Sequence, residues 1–323
     1  MPLLDELNRK AQSKSPRILL PESTDPRIIE ATKSISNQKI AQIVLFDKDT
    51  AKALDVDSIN PNNANLKADY AQTLYEIRKH KGVTPESALE MLSNPSVFAM
   101  VALQRGDVDG VVTGAITPSQ EVLSNALRII GVAENSKLVS SLFLMVFDEN
   151  HSRYGENLIF TDCAMNINPS SEELAEIAMS AHEAAESFLT ESPMLAMLSF
   201  STNQSAEHAE VEKVRVATEI VKSRLPGVSI IGNVQLDAAL DPNVLKIKDP
   251  ESSFNPPANV FVFPNLDAGN IGYKLVQLAY PGANRLEIIK FNVTNLNRPL
   301  MFTSMLMLAH FVPDLDFEIS TCR

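Results

Sequence analysis

Short apolar runs alternate with helical patterns along most of this chain, and this alternation restricts the possible folds more than any other feature. The runs cover residues 17–20, 43–46, 108–112, 138–147, 158–160, 195–200, 228–231 and 260–263. Strands that alternate with helices usually form a mainly parallel sheet with helices packed on both faces. The sequence therefore predicts an α/β protein.

Four helix N-termini are marked by a polar capping residue. In three of them proline follows the cap directly, and in two of them glutamine or glutamate lies three residues after the cap. Side-chain oxygens of Asp, Ser and Thr accept hydrogen bonds from the free N–H groups of a first helical turn, and proline suits that turn. We expect helices to start at Asp25 before Pro26, at Thr84 before Pro85, at Thr117 before Pro118 with Gln120, and at Ser170 with Glu173.

The chain has 323 residues, of which 45% are hydrophobic and 21% are charged, so it can bury a large core and we expect two domains. A formal net charge of −12 argues against a nucleic-acid-binding surface. An anionic substrate would have to be recognised by a few placed arginines. Cys163 and Cys322 lie far apart in the sequence, which supports neither a disulfide framework nor a zinc site.

We expect neither a membrane-spanning segment nor an export signal in this sequence. No apolar run approaches the roughly 20 residues that span a bilayer, and the first residues lack a basic region followed by an apolar core. These observations predict no membrane association and a cytoplasmic location.

Four loops that follow predicted strands are candidates for ligand binding, because open parallel sheets bind ligands beyond the carboxyl ends of their strands. In the loop at 260–274, Gly269 and Gly272 would let the backbone approach a ligand, and Asn270 offers an amide. The loop at 20–27 places Arg27 in a first helical turn, where it could meet an anion or simply be solvated.

The other two loops supply hydroxyl groups at a strand end. These are Thr113, Thr117 and Ser119 in one loop and Ser201 and Thr202 in the other, and such hydroxyls could bind a ligand or merely cap a helix. The motifs of serine hydrolases, P-loop enzymes, zincins and dinucleotide-binding proteins do not occur. Cys163 reads as a packing residue, and the five histidines have no ligand spacing.

Six segments together resemble phosphate acetyltransferases over roughly residues 15–280. They are 21–27 (PESTDPR), 74–84 (LYEIRKHKGVT), 109–115 (DGVVTGA), 160–166 (FTDCAMN), 197–202 (MLSFST) and 269–274 (GNIGYK). The resemblance implies reversible acetyl transfer between coenzyme A and inorganic phosphate, without a metal. It also implies two α/β/α sandwich domains with mainly parallel sheets, in a fold shared with isocitrate and isopropylmalate dehydrogenases. We expect the first domain to comprise residues 1–147 and about 296–323, and the second to comprise 148–295.

By this resemblance, Arg27 and Arg78 match family arginines that recognise coenzyme A or substrate. Ser201, Thr202, Asn270 and the loop carrying Thr113, Thr117 and Ser119 would line a cleft. Coenzyme A would be a substrate and not a resident cofactor. The expected partners are acetyl-CoA, phosphate and acetyl phosphate, with no nucleic acid, and a homodimer is expected.

The end of the chain departs from the family pattern, in which a serine, an arginine and an aspartate form the catalytic group. Ser304 falls in register, but Met305 stands at the arginine position and Phe311 at the aspartate position. Earlier in the chain, Arg128 lies one helical turn beyond the place of a further family arginine, and Asn233 replaces a frequent glutamate.

After about residue 280 the chain loses the amphipathic helical pattern that the family shows there, which suggests a shifted reading frame or a diverged terminus. The sequence therefore predicts a phosphate acetyltransferase impaired by its C-terminus. The alternatives are a phosphate butyryltransferase and a non-catalytic relative that binds acetyl-CoA.

Overall fold

The computed structural model describes residues 2–132, 138–279, 283–289 and 301–302. The chain forms two compact units. The first unit consists of Asn8–Gly131 and Phe291–Arg323, and the second consists of Met1–Leu7 and Val132–Lys290. The sequence placed residues 141–147 in the first domain, whereas this strand pairs with residues 157–161 in the second unit.

Within the described residues, five strands form the sheet of the first unit, and all of their pairings are parallel. Its strands are β1 (Arg17–Leu20), β2 (Gln42–Leu45), β3 (Asp57–Ser58), β4 (Gly110–Thr113) and β11 (Met301–Phe302), in the order β11-β4-β1-β2-β3. The helices of this part of the chain are α1 (Pro2–Lys14), which begins in the second unit, α2 (Pro26–Gln38), α3 (Lys48–Leu54), α4 (Ala64–Arg78), α5 (Pro85–Met91), α6 (Pro95–Arg105) and α7 (Ser119–Ile129), with a 3-10 turn at Lys79–Lys81.

Both faces of the first sheet are covered. Neighbouring residues of a strand point to opposite faces, and in β1 both Leu19 and Leu20 are buried, as are Val44 and Leu45 in β2. One face packs on Ile28 and Ala31 of α2 and on α3. Strands buried on both faces read as continuous apolar runs, which is why β1 and β2 were visible in the sequence.

In the described part of the second unit, six strands form the sheet. The strands are β5 (Ser141–Phe147), β6 (Asn157–Thr161), β7 (Met194–Leu198), β8 (Ser229–Val234), β9 (Val260–Val262) and β10 (Ala283–Ile289), in the order β10-β5-β6-β9-β7-β8. Strand β5 is antiparallel to both β10 and β6, while β6, β9, β7 and β8 run parallel. The helices are α8 (Ser171–Phe188), α9 (Ala209–Arg224), α10 (Leu236–Leu240), α11 (Pro242–Lys248) and α12 (Leu266–Ala279).

The core of the second unit is rich in aromatic side chains. Phe160 contacts the rings of Phe261 and Phe263 at centroid distances of 5.6 and 5.4 Å, and Phe143 meets Tyr273 edge-on at 4.4 Å. These rings join β5, β6 and β9 to helix α12. Their packing holds α12 against the sheet.

All eight predicted strands occur, and the prediction of an α/β fold with mainly parallel sheets is confirmed. Helix caps at Asp25, Thr84 and Ser170 are also confirmed, the last two as reciprocal capping boxes. The cap at Thr117 is wrong, since α7 begins at Ser119, one residue later than a cap at Thr117 implies, and its flanking residue, Pro118, offers no side-chain cap. Over the ranges described above, no helix combines the length and apolarity of a membrane span.

Candidate functional site

The loop that follows β4 is wrapped around the carboxylate of Glu22. Four successive backbone N–H groups, those of residues 114–117, donate to it at 3.1, 2.9, 2.9 and 2.7 Å. Gly114 adopts φ +109°, a conformation that side-chain-bearing residues rarely reach, and this allows the loop to curl. The sequence pattern suggested that these amides face an anionic ligand, but the anion they face is Glu22.

Arg27 lies in the first turn of α2 and is paired rather than solvated. Its Nε and Nη2 donate to the two carboxylate oxygens of Asp25 at 2.9 and 2.7 Å, and Nη2 also donates to the Ala115 carbonyl at 2.7 Å. The hydrogen bonds between them lower the pKa of Asp25 and raise that of Arg27. Arg27 therefore ties α2 to the loop after β4.

The hydroxyl residues of this loop differ in their surroundings. Thr113 ends β4 with 1% of its surface exposed, and its Oγ1 has no hydrogen-bond partner among the described residues. Thr117 is half-buried and its backbone N–H is bound by Glu22. The helix α7 starts at Ser119, whose side chain lies outside what the structure describes.

Arg78 is the last residue of α4. Among the described residues, its guanidinium has one hydrogen-bond partner. Nη1 donates to the carbonyl of Arg128, near the end of α7, at 3.4 Å. Its Nε is buried without a described partner. The carboxylate of Glu76, in the same helix, pairs with Lys79 at 2.6 Å.

In the second unit, the loops beyond β6, β9, β7 and β8 lie at the carboxyl edge of four adjacent parallel strands. Asp162 follows β6 and is only 3% exposed. Its carboxylate accepts from the backbone N–H groups of Ala164, Met165 and Asn166 at 3.0 to 3.1 Å, and from the side chains of Ser141 and Asn166. An internal carboxylate thus shapes this loop as well.

Asn270 lies in the first turns of α12, and both ends of its amide are engaged. Nδ2 donates to the Cys163 carbonyl at 3.4 Å, and Oδ1 accepts from Lys274 at 2.8 Å. A Cβ atom on Gly269 would lie 2.4 Å from the carbonyl oxygen of Asp162. The close backbone approach expected at Gly269 therefore serves the loop after β6 and not an open ligand space.

Ser201 and Thr202 follow β7, and both side chains are buried and bonded within the loops. The Ser201 hydroxyl lies 2.9 Å from that of Ser205, and Thr202 Oγ1 accepts from the Gln235 N–H at 3.0 Å. Asn233, at the end of β8, adopts φ +52° and has a buried Oδ1 without a described partner. Sequence reasoning found the hydroxyls but not Gln235, which joins the ends of β7 and β8.

The catalytic serine expected at Ser304 lies outside the described residues. The strand β11 just before it pairs with β4 so that Phe302 lies opposite Thr113. Across the described part of the chain, no group of three or more His, Cys, Asp and Glu side chains is arranged to hold a metal ion.

The fold and the loops after the strands place this chain among the α/β proteins that carry their polar groups at the carboxyl ends of parallel strands. A family model described as phosphate acetyl/butaryl transferase matches residues 2–280. The chain therefore belongs to the phosphate acetyl/butaryl transferase family, and the resemblance seen in the sequence is confirmed.

Individual relatives agree with the family match. A phosphate acetyltransferase from Thermoanaerobacterium thermosaccharolyticum is 41% identical over 287 residues, covering 86% of this chain and 87% of that protein. A phosphotransacetylase structure from Streptococcus pyogenes has a TM-score of 0.82 at 33% identity, with 94% of this chain and 92% of the other covered. EutD phosphotransacetylase from Staphylococcus aureus gives 0.81 at 34% identity with the same coverage.

Proposed function

We propose that this chain is a phosphate acetyltransferase, which transfers an acetyl group reversibly between coenzyme A and inorganic phosphate. The observation that carries the proposal is the family match over residues 2–280, together with relatives of that name at about 40% identity. Acetyl-CoA and phosphate are substrates in one direction, and acetyl phosphate and coenzyme A in the other. Coenzyme A acts as a substrate and not as a resident cofactor.

The reaction sets three requirements for the protein. In the direction of acetyl-CoA formation, the coenzyme A thiol loses its proton to a base, and its sulfur attacks the carbonyl carbon of acetyl phosphate. A carbon–sulfur bond forms, the carbon–oxygen bond to phosphate breaks, and phosphate departs with the bonding electrons. The protein must hold the phosphate, stabilise the tetrahedral oxyanion and take the thiol proton.

Arg78 and Thr113 keep polar atoms without partners among the described residues, which suits them to contact a ligand. Arg27 is occupied by Asp25 and Ala115, so we assign it to orienting the loop and to adding positive charge beside the ligand. A planar guanidinium such as that of Arg78 can hold a phosphate in two contacts.

In the second unit we assign Ser201, Thr202 and Asn270 to the loops that border the substrate. Their hydroxyl and amide groups are engaged with Ser205, Gln235, Cys163 and Lys274, so in this conformation they fix the shape of those loops. Thr117 and Ser119 border the substrate from the loop after β4.

The C-terminus limits the rate in this proposal. Ser304 follows β11 by two residues, but the methionine and phenylalanine that occupy the arginine and aspartate positions of the family can neither stabilise an oxyanion nor accept a proton. A thiol with an ordinary pKa of about 8.5 stays mostly protonated at neutral pH without a base. Substrate binding should therefore survive better than turnover.

Three further properties belong to the proposal. The enzyme is a cytoplasmic homodimer, and its two α/β/α sandwich domains have the isocitrate dehydrogenase-like fold. The second domain is inserted into the first, and the domain boundaries follow the two compact units, with Val132–Lys290 between Asn8–Gly131 and Phe291–Arg323. The family resemblance supports the fold and the domain insertion, and size-exclusion chromatography with light scattering would test the dimer.

The deciding experiment compares the chain with a chimera in which residues from 280 onward come from the Thermoanaerobacterium relative. Acetyl-CoA formation from acetyl phosphate should be at least about 10²-fold faster in the chimera, the usual effect of one oxyanion donor or one general base. Butyryl phosphate should be the poorer substrate for both proteins. Equal turnover in the two proteins would show that residues other than 304–311 carry the chemistry.

A further inference from the structure

We infer that Glu22 is a positioning residue of the substrate site, because its carboxylate fills the anion-binding concavity made by the loop after β4. The inference rests on the proposed function, since it assigns that loop to the substrate site. Neither the motif reading nor the family match singles out this glutamate.

Four successive N–H groups that converge on one point form a site of the kind that normally takes a phosphate or another anion. Here both Glu22 oxygens are used, Oε2 by Gly114 and Ala115 and Oε1 by Ile116 and Thr117. A substrate phosphate cannot use the same donors while Glu22 holds them. The phosphate must instead meet side chains whose placement depends on the loop.

Glu22 is itself held in place by the end of the neighbouring strand. Ser23 donates to the Leu20 carbonyl at 3.0 Å and accepts from the Phe46 N–H at 2.8 Å, which ties the segment after β1 to the end of β2. Since β1 pairs with β4, the carboxylate and the loop face each other across adjacent strand ends. The position of the loop is therefore set by the sheet.

Two residues of the proposed site depend on this arrangement. Thr113 lies immediately before the four donors, and Arg27 donates to the Ala115 carbonyl between them. Loss of the carboxylate would leave four N–H groups without their acceptor, and the loop would rearrange to find others. We therefore expect Thr113 and Arg27 to lose their alignment when Glu22 is replaced.

The test uses Glu22→Ala and Glu22→Gln in the full chain, with Asn63→Ala as a control. Asn63 caps α4 with two N–H bonds and lies outside the loop, so its variant reports a simple loss of stability. Calorimetry measures binding of inorganic phosphate and of coenzyme A, and hydrogen exchange reports on the amides of residues 114–117. Each titration is repeated with formate, a small carboxylate that can occupy the vacated concavity.

In Glu22→Ala we expect faster exchange at residues 114–117 and about tenfold weaker binding of at least one ligand, with partial recovery of both in formate. Glu22→Gln should show a smaller loss, because its amide keeps one acceptor oxygen. Asn63→Ala should keep wild-type affinity. A purely structural role would lower the melting temperature without changing affinity and without any effect of formate.

Two results would overturn the inference. One is unchanged exchange at residues 114–117 in Glu22→Ala, and the other is wild-type affinity for both ligands in a variant whose loop exchanges faster. If the wild-type chain itself binds neither ligand, the proposed function fails, and the exchange data still decide whether Glu22 fixes the loop.

Discussion

Replacing Arg27 by alanine separates the structural and the ligand-binding roles of this residue. The substitution removes two charge-assisted hydrogen bonds to Asp25 and one hydrogen bond to the Ala115 carbonyl. The Asp25 carboxylate, 9% exposed, would then be left without its cation, although it would still accept the backbone N–H of residue 27.

The expected cost is about 2–3 kcal/mol of unfolding free energy. Removing one partner of a fully buried pair typically costs about 3–5 kcal/mol, and the remaining helix-cap bond together with 18% exposure of Arg27 reduces this value. We therefore expect a clear loss of stability, whereas an arginine that only contacts a ligand or solvent would contribute little to stability.

The assay is urea unfolding followed by circular dichroism for Arg27→Ala, Asp25→Asn and the double variant. Asparagine keeps the helix-cap acceptor but removes the charge, so the double variant should recover at least about 1 kcal/mol of the loss. Wild-type Asp25 has a lowered pKa, so its contribution is present above its ordinary value of 3.8 and is lost as the pH falls through the folded-state pKa. The difference between wild type and Arg27→Ala should thus be full at pH 7 and shrink below about pH 4.

Coenzyme A and phosphate titrations on the same variants supply the second readout. The reasoning fails if Arg27→Ala unfolds at the same urea concentration as wild type while binding its ligands more weakly. That result would make Arg27 a direct ligand contact and the Asp25 pair energetically unimportant.

Four further substitutions test three separate features. Gly269→Ala should lower the unfolding free energy by about 1–3 kcal/mol, because its Cβ would lie 2.4 Å from a backbone oxygen. Gly272→Ala should cost less, because its Cβ would meet only the edge of the Phe263 ring, at 3.0 Å. Equal melting temperatures of the two variants would contradict this expectation. Thr113→Val should leave the unfolding free energy unchanged or raise it by up to about 1 kcal/mol, while weakening phosphate binding about tenfold. Unchanged phosphate affinity in calorimetry would show that the Thr113 hydroxyl does not contact the ligand. Tyr70→Phe removes a 2.7 Å hydrogen bond to Asp107 and should cost about 1 kcal/mol at pH 7. Burial and that bond raise the pKa of Tyr70, so the extra stability of wild type over Tyr70→Phe should be lost as the pH rises above 10. A difference in melting temperature that stays constant above pH 10 would refute this role of the Tyr70 hydroxyl.

The strands buried on both faces could be predicted from the sequence because each shows an uninterrupted apolar run. Strand β3 has two exposed residues, Asp57 and Ser58, and carries no such signal. The reversal of β5 could not be predicted either, since an apolar run of seven buried residues looks the same in a parallel and an antiparallel pairing.

The candidate site was predicted as a set of loops but not as a set of contacts. Arg27 was correctly placed in the first turn of α2, but its pairing with Asp25 and Ala115 depends on the neighbouring strand end. Glu22 and Asp162 were not recognised as loop anchors, because the amides that surround them belong to backbone whose curvature the side-chain pattern does not record. Ser304 and the family group around it lie outside the described residues, so their roles stay predictions.

The position of β11 bears on how the protein is made. Its pairing partner β4 is complete once residue 113 has been synthesised, whereas Met301 and Phe302 are added nearly 190 residues later. All strands found among the described residues of the second unit precede residue 290, so this unit can fold on the ribosome before the neighbour of β4 has been synthesised. Closing a segment of this length is slow, and until then β4 presents an unpaired strand edge to other nascent chains. Premature termination before residue 301 would make that temporary edge permanent and turn a folding delay into a site of aggregation.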